Sequence, residues 1–230
     1  MNFAIEERIN ELKEFYFEDI HQFTYIYGSY ATEYATENSD LDIVTISNAD
    51  KKKLIPPLKD FIVDFHNKYD LTIDEEVPYD KKLICSFEMM DDAVEGKGFH
   101  MENGIYQVPF LELSPEYLSS DELMQRILLN TITNKSLFVS GEKTSYEKYR
   151  FEGWKKMIEV VFNMEGDGLT LDKFVDRMIK KNGRVGRDYM GYSDEKSVRD
   201  YLQSEVPFFL DISMQQGNVK QKNGVYYYET

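Results

Sequence analysis

Two strand-like runs on either side of a Gly-Ser turn restrict the fold more than any other feature. FTYIY, residues 23–27, is rich in aromatic and β-branched residues and ends directly before Gly28 and Ser29. LDIVTI, residues 41–46, has the same character, and LTIDEEV, residues 71–77, predicts a third strand. Three short strands this close together predict a small sheet at the start of the chain.

Helical periodicity accompanies these strands. Residues 5–16 and 51–67 carry apolar side chains at steps of four, three and four, which predicts two helices and the order α-β-turn-β-α-β up to residue 77. From residue 119 the apolar period is mostly helical. The further helices are predicted at residues 145–163, 170–182 and 193–202.

Two Asn-Gly pairs predict β-hairpins. Asn103-Gly104 lies within residues 99–113, whose strands could extend the same sheet, and a second pair lies in the tail NVKQKNGVYYYE, which could be a small hairpin or a mobile end. The chain is therefore predicted to be α+β, with a small mixed β-sheet core at residues 1–115 and a mostly helical domain at residues 116–230.

Composition excludes several classes of function. The formal charge of −15 disfavours a nucleic-acid partner and would attract a cationic small molecule. No apolar run approaches the roughly 20 residues that span a bilayer, so we expect no membrane contact. The first 15 residues do not resemble a signal peptide, and Cys85 is the single cysteine, so a cytoplasmic protein is expected.

Asp40 and Asp42 are the first candidate site residues. Side chains at positions i and i+2 of a strand point to the same face, so the two carboxylates are expected side by side. Two adjacent carboxylates raise each other's pKa unless a cation lies between them. Mg²⁺ prefers such oxygen ligands, together with phosphate oxygens. The alternative interpretation is an ordinary turn with a solvated strand edge.

Gly28 and Ser29 are candidates for phosphate binding. A glycine directly after a strand lets backbone amides approach an anion closely, and Ser29 adds a hydroxyl donor. A helix starting near Ala31 would add partial positive charge. Asp74 is the preferred third carboxylate because it follows an apolar run, and Glu76 is its alternate on the same face.

Taken together, Tyr27-Gly28-Ser29 and Asp40-Leu41-Asp42-Ile43 resemble the signature of the polymerase-β-type nucleotidyltransferase superfamily, including its minimal and antibiotic-type members. The resemblance covers about residues 20–77. The α/β part followed by a helical part is also similar to the bacterial aminoglycoside nucleotidyltransferases.

This resemblance implies transfer of a nucleoside monophosphate from a nucleoside triphosphate, with ATP the expected donor, to the hydroxyl of a small acceptor. It implies two Mg²⁺ ions held by Asp40 and Asp42, with Asp74 sharing one ion and acting as base, and Ser29 holding the terminal phosphates. Superfamily members often supply a lysine from the helical part, and here either Lys135 or Lys143 could reach the triphosphate.

Two other functions remain open from the sequence. The acceptor could be a macromolecule, such as a tRNA end or a protein hydroxyl. The basic cluster at residues 171–187 could then contact nucleic acid, although the favoured interpretation is a solvated helix face with cations near its C-terminus. Alternatively, the chain could be a non-catalytic nucleotide-binding or antitoxin module. The paired aspartates argue against a pure binder, since binding alone does not require like charges in one place.

His66, near a predicted helix end, is expected to be structural.

Overall fold

The computed structural model describes residues 7, 10, 23–36, 39, 41–70, 84–102, 105–107, 121–163, 168–181 and 194–229. In chain order the elements are β1 (Phe23–Ile26), α1 (Gly28–Thr32), β2 (Ile43–Ile46), α2 (Lys51–Tyr69), β3 (Ile84–Cys85), α3 (Phe87–Glu95), β4 (His100–Glu102), β5 (Ile105–Gln107), α4 (Asp121–Thr133), β6 (Leu137–Gly141), α5 (Lys143–Asn163), α6 (Leu171–Lys181), α7 (Glu195–Gln215), β7 (Val219–Lys222) and β8 (Val225–Tyr228).

A mixed four-stranded sheet in the order β3-β2-β1-β6 forms the centre of the fold. β1 runs antiparallel to both β2 and β6, and β2 runs parallel to β3. The predicted α+β class with a small mixed sheet and a mostly helical remainder is confirmed. The fourth strand, β6, lies in the segment predicted to be mostly helical, so the sheet draws strands from both sides of residue 115.

Both faces of the sheet are covered, which explains why β1 and β2 are buried throughout and read as apolar runs. Phe23 and Tyr25 pack on one face against helices α3 to α7. Ile26 and Ile43 pack on the other face against α2, through residues such as Phe65. The alternation of side chains along each strand therefore ties the sheet to two separate apolar clusters.

Several predicted elements differ from the structure in extent or partner. β2 begins at Ile43 rather than at residue 41, so Asp42 precedes the strand. The strands around Asn103-Gly104 pair with each other in a separate two-stranded sheet and do not extend the central one. The second predicted hairpin is confirmed as β7–β8.

The helices follow their apolar periods closely. α2 covers the predicted residues 51–67, and the Asp50 side chain caps its first turn by accepting a hydrogen bond from the Lys52 amide. α7 continues to Gln215, well past residue 202, although Pro207 lies inside it, because apolar side chains such as Leu210 stay buried along its face. No helix in the described part of the chain has the length and apolarity needed to cross a membrane.

Candidate functional site

The closest approach at the predicted site joins Gly28 to Asp42. Ile26 pairs with Ile43 across the antiparallel strands, and the Tyr27 amide donates a hydrogen bond to the Asp42 carbonyl at 3.0 Å. Gly28 has a φ of +70°, in the left-handed region. A Cβ at this residue would lie 2.2 Å from Oδ2 of Asp42. Only glycine therefore allows the carboxylate to lie against this turn.

Ser29 lies in the first turn of α1, beside this contact. The helix begins at Gly28, three residues before the predicted start at Ala31, and is five residues long. Its last turn closes on the carbonyl of Ser29, which accepts hydrogen bonds from Thr32 Oγ1 at 3.2 Å and from the Tyr34 amide at 3.0 Å. The turn is thus held at both ends, and Ser29 sits at the sheet edge where the Asp42 carboxylate lies.

The remaining predicted carboxylates lie outside the described residues. This holds for Asp40, Asp74 and Glu76. Among the residues that are described, no three carboxylate, imidazole or thiolate side chains form a group that could hold a metal ion. The structure therefore brings together Gly28, Ser29 and Asp42 from the predicted set.

A cavity of about 710 Å³ adjoins the end of α1. It lies at the same edge of the sheet, because Leu137 at the start of β6 pairs with Ile26 at the end of β1. Its walls come from α1 and the residues after it, from the start of β6, and from α5 and α7. The lining residues are Thr32, Glu33, Tyr34, Lys135, Ser136, Leu137, Arg150, Tyr201 and Glu205.

Arg150 organises the far wall of this cavity. Its guanidinium donates to the carbonyls of Ile132 and Asn134 at 3.0 and 2.8 Å, which lie at the end of α4. The same group donates to the Tyr201 hydroxyl and to Glu205 of α7, each at 3.0 Å. Burial raises the pKa of Tyr201 to about 12, so its hydroxyl stays protonated at neutral pH.

The two candidate lysines lie in different surroundings. Lys135 lines the cavity and forms an ion pair at 2.9 Å with Glu33, the residue that ends α1. Lys143 forms an ion pair with Glu147 one turn along α5, and its side chain is 67% exposed. Lys135 is therefore the lysine that lies at the end of α1, the helix that begins at Gly28, and sequence alone offered no signal to select it.

Three of the cavity residues were not predicted from the sequence. Arg150, Tyr201 and Glu205 lie on helices more than a hundred residues beyond the Gly-Ser turn, and each reads as an ordinary helical position. The Tyr34 hydroxyl also reaches α7, where it donates a hydrogen bond to Ser197 Oγ at 3.1 Å. Only the packing of α5 and α7 brings these side chains to the cavity beside the end of α1.

Residues 6–89 match the family model of the nucleotidyltransferase domain, a stretch that contains the Gly-Ser turn, Asp40, Asp42 and the residues up to α3. No curated protein and no solved structure matches the chain. Residues 6–89 are therefore similar to a nucleotidyltransferase domain, consistent with the polymerase-β-type superfamily, and this match supports a nucleotidyltransferase enzyme.

Proposed function

We propose that the enzyme transfers a nucleoside monophosphate from a nucleoside triphosphate, with ATP the expected donor, to a hydroxyl group of a small acceptor in a Mg²⁺-dependent reaction. One observation carries this proposal: the carboxylate of Asp42 lies against Gly28 in the turn that opens α1. A carboxylate would repel a triphosphate bound at this turn unless a cation lay between them. The oxygen donors fit Mg²⁺, which prefers carboxylate and phosphate ligands.

Asp40 and Asp42 would hold the metal. When bound, the metal would neutralise the charge on the phosphate oxygens. Ser29 and the first amides of α1 would bind the terminal phosphates. The acceptor oxygen forms a bond to the α-phosphorus while the bond to the pyrophosphate oxygen breaks. The hydroxyl proton passes to the third carboxylate, for which Asp74 remains the first choice and Glu76 the alternate.

The adjoining cavity supports a small acceptor. Its volume of about 710 Å³ lies within the range of about 300–1,000 Å³ that is usual for small-molecule sites. Its four charged side chains form two ion pairs, Glu33 with Lys135 and Arg150 with Glu205, so their charges cancel. Hydroxyl groups, such as that of Tyr201, would therefore orient the ligand more than a net charge would.

A macromolecular acceptor is the second candidate. The chain's charge of −15 opposes a tRNA substrate at long range. Within the described part of the basic cluster, α6 buries Phe174, Val175 and Met178, and its Asp176 pairs with Arg199 of α7. These contacts favour a packing role for this helix.

The assay uses the full chain with each of the four α-labelled nucleoside triphosphates, Mg²⁺, and separate pools of small hydroxyl compounds, total RNA and lysate protein. We expect label in a small compound, equal release of pyrophosphate, and loss of both with EDTA. Label in RNA or protein would establish the macromolecular alternative. Triphosphate binding without pyrophosphate release in any pool would contradict transfer and favour a non-catalytic module.

Replacing Lys135 tests which lysine contacts the triphosphate. We expect Lys135→Gln to raise KM for the nucleotide by about tenfold, because a hydrogen bond to a charged group contributes about 1.5–3 kcal/mol. Steady-state kinetics with varied nucleotide measures this change. Lys143→Gln removes the same charge from an exposed position and should leave KM unchanged. Equal effects of the two substitutions would contradict the assignment to Lys135.

A further inference from the structure

His66 of α2 connects this helix to the backbone between the two candidate metal ligands. The imidazole is buried, with 2% of its surface exposed. Its Nε2 lies 3.3 Å from the amide nitrogen of Leu41, and its Nδ1 lies 2.7 Å from the carbonyl oxygen of Ile62. Leu41 is the residue that separates Asp40 from Asp42.

These two hydrogen-bond partners determine which ring nitrogen of His66 carries the proton. A backbone amide can only donate a hydrogen bond, so Nε2 accepts from Leu41. A carbonyl can only accept, so Nδ1 carries the proton and donates to Ile62. His66 is therefore a neutral acceptor towards Leu41, and both of its nitrogens are used in holding the chain.

The backbone on either side of Asp40 is held from the same helix. The Leu41 side chain is 4% exposed and belongs to the apolar cluster that contains Phe65 of α2. Tyr30 packs edge-on against Phe65, with ring centroids 5.8 Å apart, and its hydroxyl donates to the Ser39 carbonyl at 3.5 Å. α2 thus orders the segment through Leu41 and, by way of Tyr30, through Ser39.

We propose that His66 is a positioning residue that sets the backbone of Leu41, and through it the position of the adjacent Asp42 carboxylate, for metal binding. The inference rests on the proposed Mg²⁺-dependent function. Partners that orient metal ligands from outside the ligand set usually change metal affinity or activity by about 10–100-fold when they are replaced. A histidine that served packing alone would affect stability without a specific effect on the metal.

Two substitutions separate the two hydrogen bonds. The amide oxygen of His66→Gln can reach the position of Nε2 and accept from Leu41, whereas the amide of His66→Asn can reach the position of Nδ1 and donate to Ile62. We expect His66→Asn to raise the Mg²⁺ concentration for half-maximal transfer by about tenfold. His66→Gln should retain a value close to that of the wild type.

Hydrogen exchange at the Leu41 amide gives a readout that does not depend on activity. Exchange should accelerate in His66→Asn and stay slow in His66→Gln, while calorimetric titration of the free protein with Mg²⁺ should follow the same order. If the two variants behave alike in both measurements, the proposal is overturned. If wild-type protein transfers no nucleotide, the proposed function fails, and exchange and calorimetry still decide the role of His66.

A further variant covers the case in which His66→Asn does not fold. Leu41 can be replaced by its α-hydroxy acid through nonsense suppression, which exchanges the amide N–H for an ester oxygen and keeps the side chain. A raised Mg²⁺ requirement in this protein, with an unchanged melting temperature, would support the proposal. An unchanged Mg²⁺ requirement would overturn it, because the hydrogen bond to His66 would then have no effect on the ligands.

Discussion

Asp42→Asn should reduce the rate of nucleotidyl transfer by about a thousandfold. A metal ion that stabilises charge in the transition state contributes several kcal/mol. A loss of about 4 kcal/mol corresponds to a thousandfold lower rate. The substitution keeps the size of the side chain and removes its charge beside Gly28. An amide is a much poorer ligand for Mg²⁺ than a carboxylate. Single-turnover transfer with saturating nucleotide and varied Mg²⁺ measures the loss, and excess Mg²⁺ should restore only part of it.

Asp64→Asn is the matched control for this change. Asp64 is exposed on α2, so this change removes one negative charge from the protein surface. Transfer by this variant should equal that of the wild type. If Asp42→Asn transferred nucleotide as fast as Asp64→Asn, Asp42 would have no part in the reaction, and the proposed role of the motif would be wrong.

Gly28→Ala should reduce transfer by about a hundredfold, the effect expected when reacting groups are displaced by about 1 Å. The added methyl group would lie 2.2 Å from Oδ2 of Asp42, far inside van der Waals contact, so the carboxylate must move or the turn must open. The left-handed φ of +70° adds about 1–2 kcal/mol of backbone strain for any residue with a Cβ. Transfer kinetics and chemical denaturation should therefore both change.

Substitution of two other glycines distinguishes the effect of backbone strain from the effect of steric contact with Asp42. Gly217 and Gly224 have φ values of +80° and +77°, and a Cβ at either meets no atom within 4 Å. Gly217→Ala and Gly224→Ala should lose about 1–2 kcal/mol of unfolding free energy to the same backbone strain and retain wild-type transfer. A loss of activity in these variants as large as that of Gly28→Ala would mean that instability, and not the contact with Asp42, explains the effect.

The sequence predicted the elements whose identity depends on local pattern. Helix α2 and the β7–β8 hairpin follow from apolar spacing and from an Asn-Gly turn, which act over a few residues. The start of β2 was predicted two residues early. The structure shows that the amide of Leu41 bonds to His66, 25 residues away, and not to a neighbouring strand. A hydrogen bond between residues this far apart in the chain cannot be predicted from the local apolar period.

The same distinction applies to the site. Gly28, Ser29 and Asp42 could be named from the sequence, because a phosphate-binding turn and a metal ligand require particular residue types at a short spacing. The structure then shows the strand pairing that brings Gly28 against Asp42. The sequence by itself therefore determined the reaction class and predicted the residues that we propose for the donor half of the site.

Only the tertiary structure decided which side chains line the cavity at the end of α1. β6 joins β1 although it lies in a mostly helical region, and this pairing carries Lys135, and not Lys143, to the end of α1. The packing of α5 and α7 brings Arg150 and Tyr201 to the same cavity. These residues meet because buried apolar faces determine how the helices pack on the sheet, and that packing joins positions that are far apart in the chain.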